Sequence, residues 1–361
     1  MVTIEAGIGP HSRTLRTDLR GAVDDALDAF FTEKAGLSAG TAMDGVVEAL
    51  RAYVLAGGKR LRPLLCLCGW QAAGGAPRDP AAVRAAASLE LFHAFALIHD
   101  DIVDNAAVRR GHPSLHVSLA LLGRGDHRGR NERFGRDSAI LVGDLAMVWS
   151  DEMLHRSGMT PTQLRAVRPL LDQMRSELMF GQYHDLLSSD TSPDVGTALT
   201  IASYKSGRYT VQRPLQIGAA LAGADESLLD ACTAFALPIG EAFQLRDDLL
   251  GIFGDARHTG KSTLDDLREG KGTVLMALAL RDADPAQRAT LSTLVGDPAL
   301  DEAGAAEARA VLVATGAAAK VEQMIEERLR QGLAVLDDAP FHPDARDALR
   351  DLARAATVRA A

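Results

Sequence analysis

The chain has 361 residues, 47% hydrophobic and 24% charged, the balance of a globular protein with a large buried core. Its net charge of -9 argues against nucleic acid or anionic lipid as the main partner. Only 4% of residues are aromatic and alanine is plentiful, which favours helices packed through small side chains over strands.

Leu15, Leu19, Val23, Leu27 and Phe31 recur every four residues, and Val46, Leu50 and Val54 resume the pattern after the break at Gly36–Gly40. The MVTIEAGIGPHSR start has no charged-then-apolar export signal, and the first dozen or so residues read as an unordered lead. No run approaches the roughly 18 apolar residues of a membrane span, so a cytoplasmic protein is expected. Cys66, Cys68 and Cys232 read as buried free thiols rather than as a disulfide framework. Asp79-Pro80 has the form of an N-cap with proline at the first helical position, opening the long run that ends in HDDIVD. Thr160-Pro161 and Ser192-Pro193 repeat the signal. Further helices are expected over about 138–157, 161–187, 194–222, 226–253, 272–283 and 301–358, with a break at Gly316 and another around 340–343. Pro214 and Pro238 would kink two of them. With no period-two strand in view, the expectation is an all-α, single-domain bundle of ten or more helices around a deep central cavity, spanning 1–361. Two polar stretches, 106–137 and 254–272, resist the helical reading and are expected to be functional loops.

The chemistry begins where those loops meet helix ends. Asp100 and Asp104 stand at i and i+4, so both carboxylates project on one face, with Asp101 beside them. Carboxylates crowded at a helix C-terminus oppose the helix dipole and call for a cation. Hard oxygen ligands without cysteine suit Mg²⁺ shared with a substrate phosphate. Asp247 and Asp248 repeat the arrangement at the end of a second apolar helix. Basic groups accompany both pairs: Gly57-Gly58-Lys59-Arg60-Leu61-Arg62, Arg109-Arg110, Lys205-Ser206 and Gly260-Lys261. Lysine is scarce, with six in the chain, and four of them (Lys59, Lys205, Lys261 and Lys271) fall in these segments. Two acidic sites and several cation clusters describe a pocket for two phosphorylated substrates.

GGKRLRP, HDDIVD followed by RRGHPSLH, GQxxD at Gly181–Asp185, YKSG, GEAFQLRDDLLG and GK followed by REGKxT occur in this order over about residues 55–275. In these motifs the chain resembles the trans-isoprenyl diphosphate synthases of the polyprenyl synthetase family, most closely a short-chain geranylgeranyl diphosphate synthase. The resemblance implies a homodimeric prenyltransferase that condenses isopentenyl diphosphate with dimethylallyl, geranyl or farnesyl diphosphate. It implies three Mg²⁺ ions, replaceable by Mn²⁺: two on Asp100 and Asp104 with Asp101 in support, and a third on Asp247 with Asp248 nearby. Arg109, Lys205 and Lys261 would meet the allylic diphosphate; Lys59, Arg62, His93 and Arg110 would grip isopentenyl diphosphate. Ser206 and Gln244 would turn oxygen dipoles toward a developing carbocation. Phe95, five residues before Asp100, with Ala96 at four and Phe92 at eight, would set product length at C20, with farnesyl or longer polyprenyl products as alternatives.

The chain departs from the family pattern at Gly251, where relatives carry a third aspartate; Asp255 is a candidate substitute. The Arg-rich stretch 123–137 is also long for the family. The rivals are a class I terpene cyclase, a regulatory subunit without activity, and a dinuclear-iron bundle built on Glu90-x-x-His93 and Glu152-x-x-His155.

Overall fold

The four-residue spacing of the first segment becomes α1 (Pro10–Ser38), which buries Leu19, Val23, Leu27 and Phe31. Its helix opens within the stretch expected to be an unordered lead. The computed structural model describes residues 10–41, 43–123, 128–188, 194–254 and 263–357. α2 (Asp44–Leu55) and α3 (Leu61–Ala72) follow, then α4 (Pro80–Val103). Asp79 caps α4 as expected, its side chain accepting from the Ala81 and Ala82 amides. α4 is apolar nearly all round, and such a helix must be enclosed. It packs against α1, α2, α3 and the later α6 (Arg128–His155).

After α4, β1 (Val108–Arg109) and β2 (His112–Pro113) pair antiparallel, with Arg109 opposite His112. Arg110 and Gly111 both have positive φ (55° and 77°), the geometry a two-residue hairpin turn needs. The sequence expectation of no strand missed this hairpin, which is too short to show a period. α5 (Leu115–Ala120) and α6 then correct the expected loop 106–137: the Arg-rich residues from Arg128 onward are helical. Gly135 lets α6 approach the α5 backbone at His116 and Ala120. The Arg133–Asp137 pair (3.5 Å) shows why charge misled: a solvated i,i+4 helix face looks like a loop in sequence.

α7 (Pro161–Ser188) is followed by α8 (Val195–Ala202), a π-helical segment Ser203–Gln212, and α9 (Arg213–Leu221). The expected helix 194–222 thus runs unbroken over 195–221, with its middle widened to π geometry. Pro214 lies inside this run as expected, two residues past the π segment, and its missing N–H leaves a gap in the helical ladder there. α10 (Glu226–Phe253) also carries Pro238 internally. The expected loop 254–272 contains a helical turn, α11 (Asp265–Arg268). α12 (Val274–Asp282), α13 (Pro285–Leu294), α14 (Glu302–Ala314), α15 (Ala317–Asp338) and α16 (Pro343–Thr357) complete the bundle.

One apolar cluster surrounds α4; a second joins the C-terminal half of α10 to α12, α14 and α15. A third lies among α3, α9, the first half of α10 and α16. There α3 and α9 meet backbone to backbone, Gly69 facing the Leu215 carbonyl and Gly218 the Cys66 carbonyl. The three cysteines are buried free thiols, and burial pushes each pKa up to about 12. By length and composition α4 and α10 could each cross a bilayer, contrary to the sequence expectation. In this fold both are bundle helices, and an 18-residue window of α4 is 72% buried.

Candidate active site

The two aspartate motifs close α4 and α10, and charged side chains from five other elements converge on them. Asp100 receives the Arg109 guanidinium (3.0 Å) from β1 and the Gln182 amide (3.3 Å) from α7. The Lys205 ammonium lies 3.6 Å away and bonds Asp185 at 2.5 Å. Burial works against the Lys205 charge, but Asp100 and Asp185 outweigh it and raise the pKa. Asp101 is fully buried, accepting from Arg109 Nε (2.6 Å) and from the Tyr53 hydroxyl (2.9 Å). It anchors Arg109 beneath the motif. Burial, then the Asp100 charge, push the Asp104 carboxyl up to about 6.

At the second motif, burial raises Asp248 to about 7, although Gln244 donates to it at 2.7 Å. Asp266 and Asp247 add to that rise. Lys271 links the two motifs: it bonds Asp266 (2.9 Å) and Glu269 (2.8 Å), and its charge is also felt by Asp104 and Asp248. At Gly251 a β-carbon would collide with the Asp266 carboxylate, so that carboxylate fills the space in front of the missing third aspartate. Asp255 and Lys261 lie outside the described residues.

A second charge environment lies beside the first. Arg62 bonds Thr210 (2.7 Å) and stacks 4.2 Å over the Tyr209 ring, and its buried Nε has no partner among the described residues. Arg110 bonds the Gly57 carbonyl (2.7 Å) and crowds Gly58. Among the described residues neither arginine has a carboxylate partner. Burial, then Arg62 and Arg110, drive His93 well below its ordinary pKa, so the ring is neutral. It lies 3.2 Å from the Tyr209 hydroxyl. Lys59 is exposed, next in the chain to the Gly57-Gly58 pair that Arg110 contacts. Ser206 stands half-buried in the π segment, next to Lys205. On α4 below Asp100, Phe95 and Phe92 stack at 5.4 Å, both buried, with Ala96 partly buried beside them.

Sequence reasoning gave no role to Tyr53, Tyr209, Gln182, Asp185, Asp266, Glu269 or Lys271, which reach the site from remote segments. Lysine scarcity had singled out Lys271. The dinuclear-iron reading fails on partners: Glu90 is bonded to buried Arg60 (2.7 Å), and Glu152 to Lys34 (2.6 Å) and Arg156 (2.9 Å). Among the described residues no three His, Cys, Asp or Glu side chains close on one point. All-oxygen donors from one or two carboxylates, completed by water and diphosphate, fit Mg²⁺.

Paired aspartates at two helix ends beside an arginine pocket fit an enzyme that transfers prenyl groups between isoprenyl diphosphates. The family is polyprenyl synthetase: its sequence profile matches residues 44–312, and the chain belongs to it. A geranylgeranyl pyrophosphate synthase from Corynebacterium glutamicum, solved with isoprenyl diphosphate and magnesium, superposes with a TM-score of 0.90. It shares 39% identity over 95% of this chain and 99% of that one. The geranylfarnesyl diphosphate synthase of Aeropyrum pernix is 33% identical over 80% of this chain and 85% of its own. A geranylgeranyl diphosphate synthase of Mycobacterium tuberculosis is 31% identical, covering 80% and 77% respectively. The family uses Mg²⁺ and binds isoprenyl diphosphates.

Proposed function

We propose that the enzyme makes geranylgeranyl diphosphate by adding isopentenyl diphosphate to dimethylallyl, geranyl and farnesyl diphosphates in turn. The observation that carries this reading is the separation of two charge environments. One mixes carboxylates with Arg109, Lys205 and Lys271; the other gathers Arg62, Arg110 and neutral His93, and the carboxylate felt there, Glu90, is already bonded to Arg60. The first suits a diphosphate that arrives with cations, the second a diphosphate bound by arginine alone.

Asp100, Asp104 and Asp247 would hold three Mg²⁺, with Asp248 and Asp266 behind Asp247, and Mn²⁺ able to substitute. When bound, the ions neutralise the diphosphate that leaves as the allylic C–O bond breaks. Arg109, Lys205 and Lys261 grip that diphosphate, and fixed cations need no reorganisation as its charge grows. Asp101 and Tyr53 hold Arg109 in place; Asp185 does the same for Lys205. Lys59, Arg62, Arg110 and His93 orient isopentenyl diphosphate so that its double bond meets the cation. Ser206 and the Gln244 carbamoyl oxygen face the cation as dipoles, and the departed diphosphate takes the final proton. Water is excluded because it would quench the cation.

Phe95 closes the channel for the growing tail. With a rise of about 1.5 Å per residue it lies roughly 7–8 Å below Asp100, and Phe92 backs it. The assay is incubation with Mg²⁺, isopentenyl diphosphate and each allylic primer, with product length read by mass. C20 diphosphate is expected as the end product. Asp100→Ala and Asp247→Ala should lower kcat by at least about a hundredfold with the fold retained. Activity within about tenfold of the parent in both would contradict the metal assignment.

A further inference from the structure

We infer that Arg175, pinned by Asp151, is a specificity-determining residue: a charged stop beside the lower ring of the aromatic floor of the product channel. This rests on the reading of Phe95 and Phe92 as that floor. Gln182 of α7 donates to Asp100 of α4, which brings the two helices into register at the metal motif. Seven residues back along α7 is Arg175; eight back along α4 is Phe92. At about 1.5 Å per residue these lie about 10.5 and 12 Å below the motif, at the same depth. The side chains meet there, with the Arg175 guanidinium 5.5 Å from the Phe92 ring centroid. From α6, Asp151 accepts two hydrogen bonds from that guanidinium, one of them at 3.4 Å.

An arginine on a bundle helix ordinarily turns its head to water. Here the Arg175 side chain is 24% exposed, and its Nε is buried without a hydrogen-bond partner among the described residues. The ion pair therefore stands beside Phe92, at the same depth, with Phe95 above both. An aromatic floor yields when its rings are trimmed to alanine. An ion pair does not, because an apolar tail pushed against it strips water from both charges and returns no hydrogen bond. Trimming the two rings should therefore lengthen the product only as far as the guanidinium.

The test compares end-product length after exhaustive incubation for Phe92→Ala/Phe95→Ala with and without Arg175→Leu. Arg175→Lys in the same background keeps the charge. The double variant should make products longer than the parent's. Adding Arg175→Leu should raise the share of still longer products by about tenfold, whereas Arg175→Lys should not. In the parent background Arg175→Leu should leave kcat and KM for the first condensation with dimethylallyl diphosphate unchanged, which separates a length stop from general damage. If Arg175→Leu fails to fold, Asp151→Asn in the double-variant background decides, since it unpins the guanidinium and should shift products the same way. Identical product lengths with and without these changes would overturn the charged stop while leaving the floor intact. If the double variant keeps the parent's product length, the floor reading falls, and this inference with it.

Discussion

At position 251 the chain has glycine, and the Asp266 carboxylate, bonded to Lys271, stands where a side chain would begin. One residue thus makes room for another that is distant in sequence, and no local motif could announce it. Lys59 tests the partition of the site at the same scale. The proposed partition gives its ammonium to isopentenyl diphosphate, so Lys59→Ala should raise KM for isopentenyl diphosphate by about tenfold or more and leave the allylic KM nearly unchanged. Steady-state kinetics with each substrate varied would show it, and equal effects would contradict the partition. Glu177 tests a residue outside the chemistry. Its carboxylate takes Arg213 at 2.6 and 2.8 Å and Arg208 at 2.9 Å. Burial alone would raise its pKa, but those hydrogen bonds outweigh it and hold the carboxyl below its ordinary value. A carboxyl with a lowered folded pKa stabilises above the unfolded value of 4.5 and loses that contribution as pH falls through the folded value. Glu177→Gln should therefore cost about 3 kcal/mol at neutral pH by stranding two arginines, and progressively less in acid. Urea midpoints of parent and variant that stay equally far apart down to about pH 3 would contradict this.

Elements whose signal is local were legible in the sequence, and those made by tertiary contact were not. α4 announced itself through the Asp79-Pro80 cap and its apolar run, and the paired aspartates through their i,i+4 spacing. The first ten residues of α6 hid because a charged, glycine-bearing helix face has the composition of a loop. The π segment was not legible in the sequence; within it Gly207 packs against Gly240 of α10, where two glycines let the chains approach closely. That widened turn carries Lys205 and Ser206 into the site, in keeping with π geometry at functional positions. Tyr53, Lys271 and Asp266 acquire their roles only when α2 and the α10–α12 connection fold back onto the motifs. The α3–α9 crossing gives the element-scale prediction. Gly218→Ala would drive a methyl into the Cys66 carbonyl, where neither backbone can yield, because Gly69 faces Leu215 in the same way. A loss of about 2–4 kcal/mol is expected in urea unfolding, with α4 and its aspartates undisturbed. A variant as stable as the parent would show that the helices can separate at no cost.

For the whole molecule, the apolar groups the bundle fails to cover are concentrated on two helices. On α6, Phe134, Leu141 and Val148 are 47%, 70% and 57% exposed and recur every seven residues, so they form one stripe. On α7, Phe180, Tyr183 and Leu187 are 60%, 63% and 55% exposed and share a face at i, i+3 and i+7. Scattered exposed apolar residues are ordinary, but contiguous stripes mark surfaces that are covered in use. A second copy of the chain is the occupant proposed here, because an isologous pairing of one face with itself buries both copies' stripes together. A stable pairing needs about 800 Å² from each partner, an area two long helices can supply. The consequence reaches the active site, since α7 also carries Gln182 and Asp185, which position Asp100 and Lys205. Leu141→Glu with Phe180→Glu should convert the dimer to a monomer at micromolar concentration, read by light scattering. It should also lower kcat, by loosening α7, more than it changes either KM. A parent chain that scatters as a monomer, or a charged variant that stays dimeric, would refute the assignment of this face.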